Sequence, residues 1–210
     1  LLNSGENPDN ELKHITALCK NNVDGVIWET VDETSSRHEH YFTEQGISVC
    51  YINSSKVPLS YDIDFVQMGY SMTQKLLEYK HKKIACLLKK ESRRSQFVLE
   101  GFKKCLFDHQ IPYQDKQVFY ISDPEVCSKI LTYGFSGAVS SHFASSLELY
   151  EQMSRLHYYI PSDLSLVSLK DDVRDAIFFP PISSIRIPYR EFGCHVYQEL
   201  IRLCEKKEGE

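Results

Sequence analysis

Residues 160–193 read IPSDLSLVSLKDDVRDAIFFPPISSIRIPYREFG, the most heavily punctuated stretch of the chain. Ile160-Pro161-Ser162-Asp163 ends one helix and turns the chain. Leu164, Leu166, Val167 and Leu169 then make a short, nearly all-apolar run, the pattern of a strand covered on both faces. Lys170-Asp171-Asp172 follows at its carboxyl end, where open α/β sheets place their ligands. Pro180-Pro181 bars helix and forces an extended entry into a second strand, Ile182 to Ile187. Pro188 closes that strand, and an amphipathic helix begins near Tyr189.

Upstream, the same alternation of strand and helix repeats. Asn7-Pro8 starts a helix with Leu12, Ile15, Leu18 and Cys19 on one face. Val23 to Trp28 and Ile47 to Ile52 read as buried strands, separated by a short helix around Arg37 to Gln45 that stops at Gly46. Tyr61 to Asp64 is extended and leads into a helix from about Phe65 to Tyr79. Ile84 to Leu88 is a strand, Lys89 to Ser95 a polar loop, and Phe97 to His109 a helix with Val98, Phe102, Cys105 and Leu106 inward. Val118 to Ile121, Pro124 to Tyr133, Gly137 to Ser141 and Phe143 to His157 continue the rhythm, which argues for parallel sheet with helices on both faces.

Composition narrows the function. The 210 residues are 42% hydrophobic and 25% charged, enough to bury a sizeable core. A net charge of −5 argues against the chain being itself a nucleic-acid-binding surface. Its seven cysteines (19, 50, 86, 105, 127, 194, 204) are scattered and never in a CxxC pair, which suits reduced, buried thiols in a cytoplasmic setting. No run reaches transmembrane length. There is no Gly-x-Ser-x-Gly elbow, phosphate-binding glycine loop or HExxH, and nine glycines in 210 residues leave little for close phosphate approach, so an enzyme is not expected.

IPSDLSLVSLKDD followed by FPPISSIRIPYREFG resembles the end of the effector-binding region of LacI/GalR-type transcriptional regulators. NSGENPDNE at 3–11, NNVDGVI at 21–27, EQGISVCYIN at 44–53, LLEYKHKKIACL at 76–87 and LEGFKKCL at 99–106 resemble family segments in the same order. The resemblance implies an α/β, two-lobed, periplasmic-binding-protein-like (type I) fold, each lobe a parallel sheet flanked by helices. Residues 1–64 plus 161–187 would form lobe one, and 65–160 plus 188–210 lobe two. A small molecule, a sugar or sugar derivative, would sit between the lobes and alter the DNA affinity of a helix-turn-helix head. That head, with the family's first strand and helix, is expected to lie outside this chain. A homodimer without a membrane anchor, cofactor or metal completes the expectation. The same fold serves the sugar-binding proteins of transporters, which is the alternative, and an enzyme on this scaffold is a third.

Carried over position by position, the resemblance finds the scaffold kept and the polar grip rewritten. Val98 stands where the family has an Arg, His142-Phe143 where it has Asn-Asp, and Asn53-Ser54 where it has Asp-Arg. Lys170 replaces the first Asp after the strand of the opening stretch, with Asp171 kept. Asp64 matches, and Phe65 replaces the following Asn. Arg93, Arg94 and Gln96 are either cleft donors in place of the missing Arg or a solvated loop. His142 and Phe143 either offer a hydrogen bond and a stacking face or form a helix start with Phe143 packed inward. Asp64 either touches ligand or caps the next helix, Tyr120 either faces the cleft or joins the core, and Trp28 either stacks on a ligand or packs. The Lys89 to Arg94 cluster suggests an anionic group on the effector. His38-x-His40 has the spacing of two metal ligands only on a strand, and Asn53-Ser54-Ser55 fits a glycosylation sequon.

Overall fold

The computed structural model describes the chain except residues 6, 33, 55–59, 172–181 and 209–210. Pro180, Pro181, Asp172 and Ser55, all singled out above, lie outside the described residues. The chain divides into two compact units, Leu1–Ile63 with Pro188–Glu210, and Asp64–Ile187.

In the first unit, α1 (Pro8–Lys20) begins where the sequence signals it. The Asn7 side chain accepts from the amides of Asp9 (2.9 Å) and Asn10 (3.2 Å), and Pro8 occupies a first-turn site that has no use for an amide proton. The helix buries Glu11, Ile15 and Cys19. β1 (Gly25–Glu29) is followed by a 3-10 turn at Ser35–Glu39 that runs into α2 (His40–Thr43), then β2 (Ser48–Ile52) and β3 (Ser60–Tyr61). The three strands are parallel in the order β1-β2-β3, with Gly25 opposite Ser48 and Tyr51 opposite Ser60. Trp28 packs edge-on to Phe42 (5.5 Å) and tilted over Tyr51 (5.4 Å), so the sole tryptophan is a core residue and not an open stacking face. The last helix, α7 (Tyr189–Glu208), covers the opposite face with Val196 and Leu200 against Cys50. A methyl group on Gly25 would meet Leu200 at 2.7 Å, so this glycine lets α7 lie close on β1.

The second unit runs α3 (Phe65–Glu78), β4 (Ile84–Leu88), α4 (Arg93–Asp108), β5 (Val118–Tyr120), α5 (Val126–Thr132), β6 (Gly137–Ser140), α6 (Phe143–Arg155), β7 (Ser165–Lys170) and β8 (Ser183–Arg186). All five strands are parallel, in the order β5-β4-β6-β7-β8. β4 and β6 are buried at every position, which is why they read as unbroken apolar or small runs. Leu87, Ile130, Leu149, Leu164 and Leu166 anchor the core.

The expected assignment of 161–187 to lobe one and 188–210 to lobe two is corrected. β7 pairs with β6 (Gly137 opposite Ser165, Ser140 opposite Ser168) and β8 pairs with β7, so both strands extend the second sheet. α7 returns to the first unit, where Val196 and Leu200 find their apolar surface. The expected polar loop at 89–95 is also shorter. Ser92 accepts from the Ser95 amide at 3.3 Å and caps α4, which puts Arg93 and Arg94 in its first turn. α6 ends at Arg155, five residues before Ile160.

Candidate functional site

Five parallel strands leave their carboxyl ends along one edge of the second sheet, and the residues that follow β4, β6 and β7 converge there. After β4, Ser92 caps α4; after β6, His142 opens α6; after β7 comes Asp171. The Arg94 guanidinium donates to Asp171 at 2.8 Å, with the two side chains 19% and 39% exposed. Its carbon also lies 5.3 Å from the centroid of the Phe65 ring, the first residue of α3. The cation is thus held between a carboxylate and the face of an aromatic ring.

The His142 ring is fixed between two hydroxyls, Ser141 Oγ 2.8 Å from Nδ1 and Ser92 Oγ 3.4 Å from Nε2. A neutral imidazole has one donor and one acceptor nitrogen, so the two serines satisfy one of each. Burial pushes its pKa down to about 4, the Arg94 charge pushes the same way, Asp171 opposes them, and Lys89 adds a smaller push downward. His142 is therefore neutral at pH 7. Behind it, Ser141 meets Ser95 at 3.0 Å, and Ser95 accepts the Lys89 amide at 3.1 Å. Ser146 donates to Ser168 at 2.7 Å, which ties α6 to β7. Single serines carry no periodic signal, so the sequence marks this framework only by the Ser140-Ser141-His142 run at the end of an apolar strand.

The predicted residues separate into groups. Phe65, Arg94, His142 and Asp171 come together. Arg93 is exposed, stacked on Phe97 one turn along α4 at 6.0 Å, and Gln96 is exposed on the same helix. Phe143 is a correction: only 5% exposed, it belongs to the core with Leu149 and Met153 and offers no stacking face. Asp64 caps α3 by accepting the Gln67 amide at 2.7 Å. Lys170 ends β7, its carbonyl accepting the Ile187 amide at 2.9 Å. Tyr120 lies at the edge strand under Lys90 (5.8 Å), lining a shallow hollow with Lys116, Asp123, Lys129 and Tyr133.

Asn53 and Ser54 occupy the matching position in the first unit, past β2. Asn53 adopts a left-handed φ of 51° and donates through Nδ2 to Glu29 at the end of β1, at 2.9 Å. Ser54 is buried, accepts from Thr30 at 3.3 Å, and donates its amide to Ser60 at 2.9 Å. A buried carboxylate in the same unit, Glu11, is structural. Glu11 accepts from the Trp28 indole and the Val31 amide, each at 2.9 Å, and from the Ser35 hydroxyl at 2.5 Å, fixing the β1 loop to α1.

His38 and His40 both lie against Tyr41 on a helical turn, and among the described residues no three His, Cys, Asp or Glu side chains converge as a metal site would require. Among the described residues no helix is long and apolar enough to cross a membrane. All seven cysteines are free thiols, five of them buried.

Comparison with known proteins meets this geometry. Residues 1–210 match the family described as periplasmic binding proteins and sugar binding domain of the LacI family. The HTH-type transcriptional regulator DegA of Bacillus subtilis is 25% identical over 199 residues, 89% of this chain and 59% of DegA, so the chain spans well under two thirds of that relative. The fold is that of the Escherichia coli transcriptional repressor ascG, with a TM-score of 0.81 at 20% identity, covering 95% of this chain and 77% of that one. It is also that of a transcriptional regulator CelR–cellobiose complex, with a TM-score of 0.79 at 18% identity, covering 95% and 64%. The chain belongs to the family of periplasmic binding proteins and LacI-type sugar-binding domains.

Proposed function

We propose that the chain is the effector-sensing core of a LacI-type transcriptional regulator, non-enzymatic and cytoplasmic. In this reading it acts as a homodimer and binds a neutral, polyhydroxylated small molecule, a sugar, at the carboxyl-end cluster. Binding then alters the DNA affinity of a helix-turn-helix head that is not part of this chain. Relatives named as transcriptional regulators and a neighbour solved with cellobiose support the regulator and the sugar.

The observation that carries the reading is the Arg94–Asp171 pair beside the neutral His142 and the Ser92 hydroxyl. A guanidinium edge and a carboxylate edge held 2.8 Å apart present donors and acceptors at the spacing of adjacent sugar hydroxyls, and the Phe65 ring adds an apolar face for C–H groups.

Two of the four cations in the basic run Lys89 to Arg94 have contacts that favour a neutral effector at this cluster over an anionic one. The Arg94 charge is met by Asp171, Arg93 is spread over Phe97, and His142 adds no charge. Calorimetric titration of the chain with neutral sugars and their phosphorylated forms tests the reading, the neutral forms being expected to bind more tightly.

A further inference from the structure

The basic run after β4 divides between two places. Arg94 goes to the carboxyl-end cluster with Asp171, while Lys90 lies 5.8 Å from the centroid of the Tyr120 ring on β5, the outermost strand of the second sheet. There Lys90 lines a hollow of about 550 Å³ with Lys116, Tyr120, Asp123, Lys129 and Tyr133. A volume of that size is ordinary for a small-molecule site.

The hollow has a fixed frame. Lys116 sits in the turn Asp115–Gln117, and the Gln117 side chain ties this turn to the sheet by donating to the Ile84 carbonyl at 3.1 Å. Past β5 the chain folds back, the Asp123 amide donating to the Tyr120 carbonyl at 2.9 Å. The Tyr133 ring rests against Phe119 (6.3 Å) and Phe135 (6.5 Å), both buried, yet Tyr133 is 48% exposed, and Tyr120 is 38% exposed. Two positioned aromatic rings therefore keep part of their surface in water, free to meet a flat apolar group.

The charges are unevenly answered. Lys129 is met by Asp123 at 2.7 Å and by Glu125 at 3.3 Å. Among the described residues no carboxylate stands at ion-pair distance from Lys90 or Lys116. An ammonium is a compact point charge with three donors, and two of them without a local carboxylate suit a phosphate better than a neutral hydroxyl.

We propose that the hollow at the β5 edge is a binding site for a small aromatic phosphate, with its ring on Tyr120 and Tyr133 and its phosphate on Lys90 and Lys116. The site is separate from the Arg94–Asp171 cluster and does not depend on the sugar reading of that cluster.

Amide NMR titration of the 210-residue chain with phenyl phosphate, inorganic phosphate and phenol tests the proposal. Phenyl phosphate is expected to bind with a dissociation constant below about 1 mM and at least about tenfold more tightly than either of its parts. The shifted amides are expected in 116–123 and 129–133. Lys116→Gln and Tyr133→Leu, both at exposed positions, are each expected to weaken binding at least about fivefold. Lys75→Gln removes the same charge from an exposed site on α3 and is expected to leave binding unchanged. Where Tyr133→Leu loses its dispersed spectrum, Lys116→Gln decides alone. No saturable shift, shifts centred on Ser92, Arg94 and His142 instead, binding of phenyl phosphate no tighter than that of inorganic phosphate, or an equal loss in Lys75→Gln overturns the proposal.

Discussion

Gly101 of α4 faces the backbone carbonyl of Val66 in α3 with no room for a methyl group between them, and the Tyr70 amide is only 2.7 Å from where that methyl would sit. Gly69 meets the Val98 backbone in the same way. The obstacle in both cases is main chain, which cannot rotate aside as a flexible side chain can. Gly101→Ala should therefore force the helices apart and destabilise the chain by roughly 1–3 kcal/mol, read as a lower urea midpoint.

Gly193 is the counter-case. It lies inside α7, and nothing stands within 4 Å of the position a methyl would take. Gly193→Ala should stabilise by about 0.5–1 kcal/mol, because alanine loses less backbone entropy in a helix. The same urea titration checks it, and a destabilised variant would mean that the α7 face is occupied.

The Glu11 carboxylate accepts three hydrogen bonds in a buried setting. Glu11→Ala strands the Trp28 indole N–H, the Val31 amide and the Ser35 hydroxyl, and should cost on the order of 3 kcal/mol. Trp28 is the only tryptophan, so its fluorescence reports the first unit directly. The emission of the variant should shift to longer wavelength.

His142 makes stability depend on pH, and the sign follows from the direction of its shift. Its folded pKa is depressed to about 4 from an ordinary 6.5. Between those values the unfolded chain holds the proton and the folded chain does not, so acid favours unfolding. The contribution is fully present above pH 6.5, is lost as pH falls toward 4, and changes no further below that. Urea midpoints at pH 7, 5.5 and 4.5 should fall less steeply for His142→Gln than for the unaltered chain.

How much of this was legible in the sequence depended on whether the signal was local. The Asn7-Pro8 start, the 84–88 strand and the inward face of α4 were readable because caps, apolar runs and helical spacing are short-range patterns. Which sheet a strand joins is not such a pattern. The apolar run at 164–169 announces burial on both faces, but its pairing with β6 depends on residues 137–140, far back in the chain. The site was legible in part for the same reason. Arg94 and Asp171 are 77 positions apart, and their pairing emerges only once α4 and β7 are in place. KKESRR looked like a solvated loop because its polarity hid Ser92 as a helix cap. Phe143 looked available because it follows a strand end, yet as the first residue of α6 its ring turns into the core.

The central claim is that Arg94, Asp171, His142 and Ser92 form a grip for a neutral sugar. Isothermal titration calorimetry of the chain and of Arg94→Ala, against a panel of neutral mono- and disaccharides and their phosphorylated forms, tests it most directly. The account predicts that a neutral sugar binds more tightly than its phosphorylated form. It also predicts that Arg94→Ala weakens this binding at least tenfold, about 1.4 kcal/mol. A preference for the phosphorylated forms, an unchanged dissociation constant in Arg94→Ala, or no binding of any sugar in the panel would contradict it.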